Sequence, residues 1–457
     1  MDVLTVSRIQ FGSTAAFHIL WPLMSIGLSL FMVVMEAMWL KTKDIKYFHQ
    51  LKFWTKIFIL TFAIGTASGI PLEFEFGTNW AKFSSAAGDF FGNILGFEST
   101  VAFALEAAFL GIFVFGWEKV SARVHFFANL MIFVGATLSA FWIMAANSWM
   151  QVPIGVTVEN GKLIVTDYLV AIFNPDTMVS FLHMWVACIE STLFMMMGIC
   201  ALVLLSRKAS HEVKDFFIQT FKYCLIIAIV VTPLQIGLGD LSGTTIAKYQ
   251  PAKLAATELH WETNAPGTGA DWALVAWPNA TNDGNSFEIK IPKVLSVLTT
   301  HSLTGRVPGL NEFHPDDRPS LINDIIVFYS FRIMVAIGFI LFLLMILGCW
   351  YWKKGLLTIE RTAHDRLFWW LFVLGTPLGF IATEAGWMVR EIGRQPWVVY
   401  HLLRTKNGLS SGLDANTVIA TTGIFAIIYL AFSILFVYFV WKIVAKGPDF
   451  NARPPVV

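Results

Sequence analysis

The chain has 457 residues, of which 56% are hydrophobic and 14% charged, with 41 Phe and 18 Trp. A soluble domain of that length carries about 25% charged residues, so the composition excludes an ordinary soluble protein. The net charge of +1 provides no field to attract nucleic acid, and no such partner is expected.

Apolar runs of ~20 residues can each cross a bilayer core ~30 Å thick. They predict nine spans near 13–38, 53–72, 93–117, 125–147, 178–206, 217–238, 325–350, 367–389 and 418–445. The fold class is therefore all-α, a polytopic membrane bundle. No internal repeat of the transporter kind is visible. A lone signal peptide cannot explain so many segments, and the first lacks a basic n-region.

Lys and Arg concentrate on cytoplasmic loops. Here they gather in the odd-numbered loops, with Lys41, Lys43, Lys46, Lys52 and Lys56 in the first and Lys353, Lys354, Arg361 and Arg366 in the seventh. This predicts an outer N-terminus and a cytoplasmic C-terminus. The eighth loop is an exception, with Arg390, Arg394, Arg404 and Lys406. The connection 239–324, rich in Gly, Pro, Asn and Asp, reads as a long structureless outer loop. It divides the chain into 1–238, 239–324 and 325–457.

Titratable groups are costly in lipid and tend to be paired, ligating or conducting. His18 and His183 lie near the outer ends of the first and fifth spans. Each is either hydrogen-bonded to a neighbouring helix or an axial haem ligand, since neutral imidazole suits iron. Met334 opens the seventh span; alone it is a core methionine, but paired with His it gives a six-coordinate electron-transfer haem. Glu384 sits near the outer end of span eight. Glu98 and Glu106 share span three, ~12 Å apart along an ideal helix and about 80° around it, as a proton route, a ligand set or a salt-bridged pair. His18, His183, Met334, Glu384 and Glu98 are expected in the outer third, and Lys56, Glu106 and Ser139 deeper or toward the cytoplasm. The four cysteines lie in apolar runs without a C-x-x-C pair and read as small apolar residues.

Several stretches resemble subunit I of the cytochrome bd-type quinol oxidases. They are S-R-I-Q-F before His18, E-F-E-F-G-T-N-W (73–80), A-N-S-W-M-Q-V-P (146–153), Q-P-A-K-L-A-A-T-E-L-H-W-E-T (250–263), F-R-I-M-V-A around Met334, and E-A-G-W with G-R-Q-P-W. The likeness runs from about residue 5 to 445, and the short outer loop matches a branch that includes cyanide-insensitive members. The resemblance implies a terminal quinol oxidase with three haems, and proton motive force generated without pumping. His183 and Met334 would hold a low-spin haem b. His18 and Glu384 would ligate the two high-spin haems, unassigned between them, one a haem b and the other a haem d or a further haem b. Glu98 would be a ligand or neighbour of the oxygen-reducing haem, and Glu106, Ser139 and Lys56 would belong to a proton pathway. Lys253 and Glu258 would serve quinol oxidation. Arg332 and Arg394 would steady haem propionates or the reduced low-spin haem.

The implied partners are a haem-free multispan second subunit, a small single-span subunit, membrane quinol and oxygen. The implied location is a prokaryotic cytoplasmic membrane, or a thylakoid in a source that has one. Two other classes compete: a proton-coupled transporter, which would place its sites at the midplane, and a cytochrome b-like dehydrogenase, which would need bis-His pairs.

Overall fold

The computed structural model describes residues 2–279, 281 and 283–454. Among them nine helices are long and apolar enough to cross a membrane: Val3–Thr42, Ile45–Thr78, Gly88–Phe115, Ala122–Gln151, Thr177–Leu205, His211–Tyr249, Leu321–Lys353, Arg366–Ile392 and Ala415–Lys446. They match the predicted spans in number and order, and most run several residues beyond them. Capping side chains fix several starts: Asp2, Asp44, Ser121, Ser210 and Asp414 each accept from a backbone N–H of the first turn, which satisfies donors the helix cannot.

The fifth span is the hub. Its most apolar window is 83% buried, against 6% for the ninth, so the ninth lies at the periphery. Small residues let neighbours close on the hub, as membrane helices require where hydrophobic force is absent. Gly27 of span one lies against Thr192, whose hydroxyl donates to the Leu23 carbonyl at 2.9 Å. Gly198 meets Thr376 and Gly379 meets Ser191, pairing spans five and eight.

Two spans are irregular. The third is α-helical to Phe97, π-helical over Glu98–Phe103 and α-helical again from Ala104. The eighth breaks between Arg366–Gly375 and Leu378–Ile392, at Pro377, which cannot donate a backbone hydrogen bond.

Three two-stranded antiparallel ribbons lie at one end of the bundle: Val156–Glu159 with Lys162–Val165, Trp272–Pro278 with Asn285–Ile291, and Trp397–Val399 with Leu403–Arg404. This ribbon end corrects the expectation of a structureless loop. The sixth span continues to Tyr249 instead of ending near 238. A short helix Pro251–Glu258 follows, then the second ribbon and a helix Val294–Thr300. The Pro251–Glu258 helix packs Ala255 and Ala256 into a small core with Leu259, Trp261, Leu310 and Phe328, so the connection has an interior of its own.

Candidate functional site

His18 lies on the face of span one that opposes span two. Ser68 Oγ donates to the Gly65 carbonyl at 2.9 Å and so accepts from His18 Nδ1 at 3.0 Å. That order makes Nδ1 the protonated nitrogen and leaves Nε2 with a lone pair, the tautomer a metal ligand needs. Gly69 gives the ring room: a Cβ there would stand 3.1 Å from His18 Cε1. Pro22, four residues on, has no N–H for the His18 carbonyl.

His183, Met334 and Glu384 come from spans five, seven and eight. A Cβ at Gly386 would stand 3.0 Å from Met334 Sδ, and one at Gly239 would stand 3.5 Å from His183 Cε1. Glycine thus keeps both donor side chains clear on one side. His183 Nδ1 and Glu384 Oε1 are buried without a partner.

Glu98 and Glu106 depart from the ideal-helix geometry. The π-helical turn begins at Glu98, and both residues face span four: Ser139 Oγ donates to Glu98 Oε1 at 2.6 Å, while Gly135, one turn away, meets Glu106 Cβ. The two carboxyls therefore share a face instead of diverging by about 80°. Ser139 stands level with Glu98 and not deeper with Glu106. Lys56 is exposed on span two and forms no hydrogen bond or ion pair with either carboxyl.

The ribbon end buries a continuous polar network. Arg390 Nη2 pairs with Asp176 Oδ2 at 2.7 Å, and Arg390 Nη1 donates to Ser180 at 2.8 Å. Arg390 also reaches Asn147, which with Gln151 donates to Glu391 Oε1 at 2.8 and 3.1 Å. Glu391 Oε2 pairs with Arg394. Lys253 Nζ closes the chain by donating to Gln151 Oε1 at 2.6 Å. Lys253 and Glu258 are 2% and 3% exposed, so neither is a solvated loop charge. Five residues apart, they point about 140° apart around their helix. Glu258 instead meets Arg332, Nη2 to Oε2 at 2.6 Å, and the same guanidinium donates to the Thr257 and Ala273 carbonyls. Burial, reinforced by Arg390 and Arg394, holds Lys253 well below the ordinary lysine range. Burial pushes Glu258 up, against the pull of Arg332.

These residues fit haem groups. Arg394 is buried with Nε and Nη1 unpartnered, and Arg332 Nε is also open. A buried donor left unpaired costs roughly 1–3 kcal/mol, so such a cluster suits anionic propionates. The imidazoles, thioether and carboxyl nearby suit axial coordination of iron. Sequence reasoning missed Glu391, the centre of the network. A signal for it exists: it lies seven residues after Glu384, about 20° away on the same helix face, between two arginines in R-E-I-G-R.

The family model described as cytochrome bd terminal oxidase subunit I matches residues 6–448. Cytochrome bd ubiquinol oxidase subunit 1 of Bacillus subtilis is 34% identical over 456 residues, covering 98% of this chain and 95% of that protein. Cytochrome bd-II ubiquinol oxidase subunit 1 of Escherichia coli is 32% identical, covering 98% and 97%. The solved structure of the bd oxidase from Geobacillus thermodenitrificans matches with a TM-score of 0.86 at 28% identity, over 98% of this chain and 99% of that one. Fold, buried donor groups and full-length similarity agree: the chain belongs to the cytochrome bd terminal oxidase subunit I family, membrane-embedded haem oxidoreductases that use quinol and oxygen.

Proposed function

We propose that this subunit carries three haems and moves electrons from quinol, at the ribbon end, to oxygen. The observation that carries this reading is the set of open donors at one end of the bundle: His183 Nδ1, Glu384 Oε1 and two nitrogens of Arg394, all buried and unpartnered. When bound, the haems pass quinol electrons to oxygen, with four electrons and four protons making two waters.

His183 and Met334 would hold the low-spin haem b. His18 and a carboxylate of the Glu384/Glu391 face serve the two high-spin haems, one a haem b and the other a haem d or a further haem b. The unpartnered oxygen of Glu384 favours it over Glu391, whose oxygens are occupied by Asn147, Gln151 and Arg394. Glu98, steadied by Ser139, faces the oxygen-reducing site, and Glu106 hands it protons; Lys56 stands at the far end of that route. Arg394 and Arg332 balance propionate charge.

Lys253 and Glu258 bind quinol and take its protons. The ribbon end faces outward, with the N-terminus outside and the C-terminus in the cytoplasm, as the Lys and Arg distribution directs. Quinol protons then leave outside while oxygen takes protons from inside, which builds a membrane potential without a pump. A haem-free multispan second subunit covers part of the exposed apolar surface, with a small single-span subunit as a further partner. The membrane is the prokaryotic cytoplasmic membrane, or a thylakoid in a source that has one.

Pyridine haemochrome analysis with carbon monoxide difference spectra tests the reading. Three haems per subunit, with carbon monoxide shifting only high-spin bands, is the expected result. A bis-His low-spin spectrum without a carbon monoxide response would favour a quinol dehydrogenase instead. Glu384→Gln and Glu391→Gln compared by the same spectra identify the carboxylate ligand, since only the ligand variant loses a high-spin band.

A further inference from the structure

Spans five and six run antiparallel, and their facing residues form a ladder. Gly239 stands against His183, where a Cβ would come within 3.5 Å of the ring. Seven residues deeper on span five, Glu190 faces Thr232, seven residues before Gly239 on span six. Between these two rungs span six places Gln235. Glu190 is 5% exposed, its carboxyl lies within side-chain hydrogen-bonding reach of Thr232, and Glu190 Oε1 and Gln235 Oε1 are buried without a partner. A buried carboxyl with an open oxygen, set against a hydroxyl of the next span in the middle of an apolar bundle, has no rationale as packing. Leucine or alanine would fill the same seam without the loss of roughly 1–3 kcal/mol for each unpaired polar group.

We infer that Glu190 is a redox-linked proton site for the iron held at His183, with Thr232 positioning its proton. The inference rests on His183 being an axial ligand. Glu190 lies ~10 Å from His183 along the helix. Ferric iron in a porphyrin carries one net positive charge that the ferrous state lacks. At ~10 Å and an effective dielectric constant of ~20, that charge changes the proton affinity of a carboxylate on the order of tenfold. When an electron from quinol arrives, the Glu190 carboxylate takes one proton from water and becomes a carboxylic acid. When the electron moves on, the O–H bond breaks and the proton returns to water. Each cycle balances one electron with one proton and avoids adding net charge to a low-dielectric interior.

The surrounding elements leave Glu190 as the group at this depth. Span one presents the Leu23 carbonyl and Gly27, and span eight presents Gly379, all neutral. Their nearest titratable groups, His18 five residues before Leu23 and Glu384 five residues after Gly379, lie toward the ribbon end. On span six Lys222 and Asp240 stand ten residues before and eight after Thr232. Span four carries His125 near its opposite end, already bonded to Glu36 at 2.6 Å, and the first segment of span eight carries Arg366 at its start.

The test is an equilibrium redox titration of the low-spin absorption band in the holoenzyme at a series of pH values. In the natural protein the midpoint should fall by ~59 mV in total, the equivalent of a tenfold affinity change for one electron, across about one pH unit. Glu190→Gln should keep the band and lose the fall, and Glu190→Asp should retain it. Redox difference infrared spectra of the unaltered enzyme provide a measurement that needs no variant: a protonated-carboxyl C=O band should grow on reduction. An unchanged fall in Glu190→Gln, or no carboxyl band in the unaltered enzyme, overturns the inference and leaves the haem assignment standing. A Met334→Leu variant with an unaltered low-spin band would instead overturn the assignment on which the inference rests.

Discussion

Ser139 donates a 2.6 Å hydrogen bond to Glu98 at the first residue of the π-helical turn. A hydrogen bond to a charged acceptor is worth about 1.5–3 kcal/mol, enough to fix which way the carboxyl points. Ser139→Ala should therefore perturb the high-spin bands and slow oxygen reduction severalfold, while Ser139→Thr, which keeps the hydroxyl, should stay near the natural rate. Carbon monoxide difference spectra and oxygen uptake on the same preparations check this; equal behaviour of both variants would remove Ser139 from the site.

Met334 and Gly386 make a matched pair of tests. Met334→Leu conserves volume and should abolish the low-spin signal with the fold intact. Gly386→Ala should shift that signal, because its methyl group would stand 3.0 Å from the sulfur. At Gly423, on the peripheral ninth span, an added Cβ would meet nothing within 4 Å, so Gly423→Ala should leave the spectrum alone. A shifted low-spin band in Gly423→Ala would mean the effect is not local.

Lys253 and Glu258 require isosteric changes. Glu258→Ala would strand the buried Arg332 guanidinium at a cost of roughly 3–5 kcal/mol, so Glu258→Gln is the cleaner probe. Lys253→Met and Glu258→Gln should each slow quinol oxidation at least tenfold and spare the haem spectra.

The pH dependence follows from the depressed Lys253 value. In the proposed role the neutral amine would accept the quinol proton, and that form is present above the depressed value and lost as pH falls through it. Quinol kcat/KM should therefore drop on acidification in the natural enzyme. In Lys253→Met this limb should disappear, leaving a low, flatter profile. A profile that keeps its acid limb in the variant would assign the titration to another group.

Glu106→Gln keeps size and hydrogen bonding beside Gly135 but cannot act as an acid or base. Full haem content with oxygen reduction slowed tenfold or more is expected, measured as haem stoichiometry and turnover in one preparation. Full haem content with normal turnover and normal proton uptake would take Glu106 out of the proton route.

The nine spans are readable because lipid demands long apolar helices, and that demand writes itself into composition. The ligand candidates are readable for a related reason: His18, His183 and Glu384 are titratable residues where titratable residues are expensive. What hydropathy does not convey is polar burial outside the apolar runs. Lys253 and Glu258 sit in a hydrophilic stretch, yet they are buried because Gln151, Arg332 and Arg394 come to meet them from three distant segments. Glu190 is a carboxyl inside the fifth apolar run and could have been singled out on the same ground; what the sequence does not show is Thr232, which becomes its neighbour only once spans five and six are paired. The angle between Glu98 and Glu106 is equally hidden, since hydropathy carries no record of helix pitch.

The π-helical turn at Glu98–Phe103 behaves as a one-residue insertion. Winding the same residues as an unbroken α-helix, with none removed, would swing the remainder of the span by about 100°. Whichever carboxyl kept its place on the fourth span, the other would turn away from it. The two contacts, Ser139 with Glu98 and Gly135 with Glu106, coexist because this turn is wound wider than an α-helix, so the pitch of the segment is as much a part of the site as its residue identities.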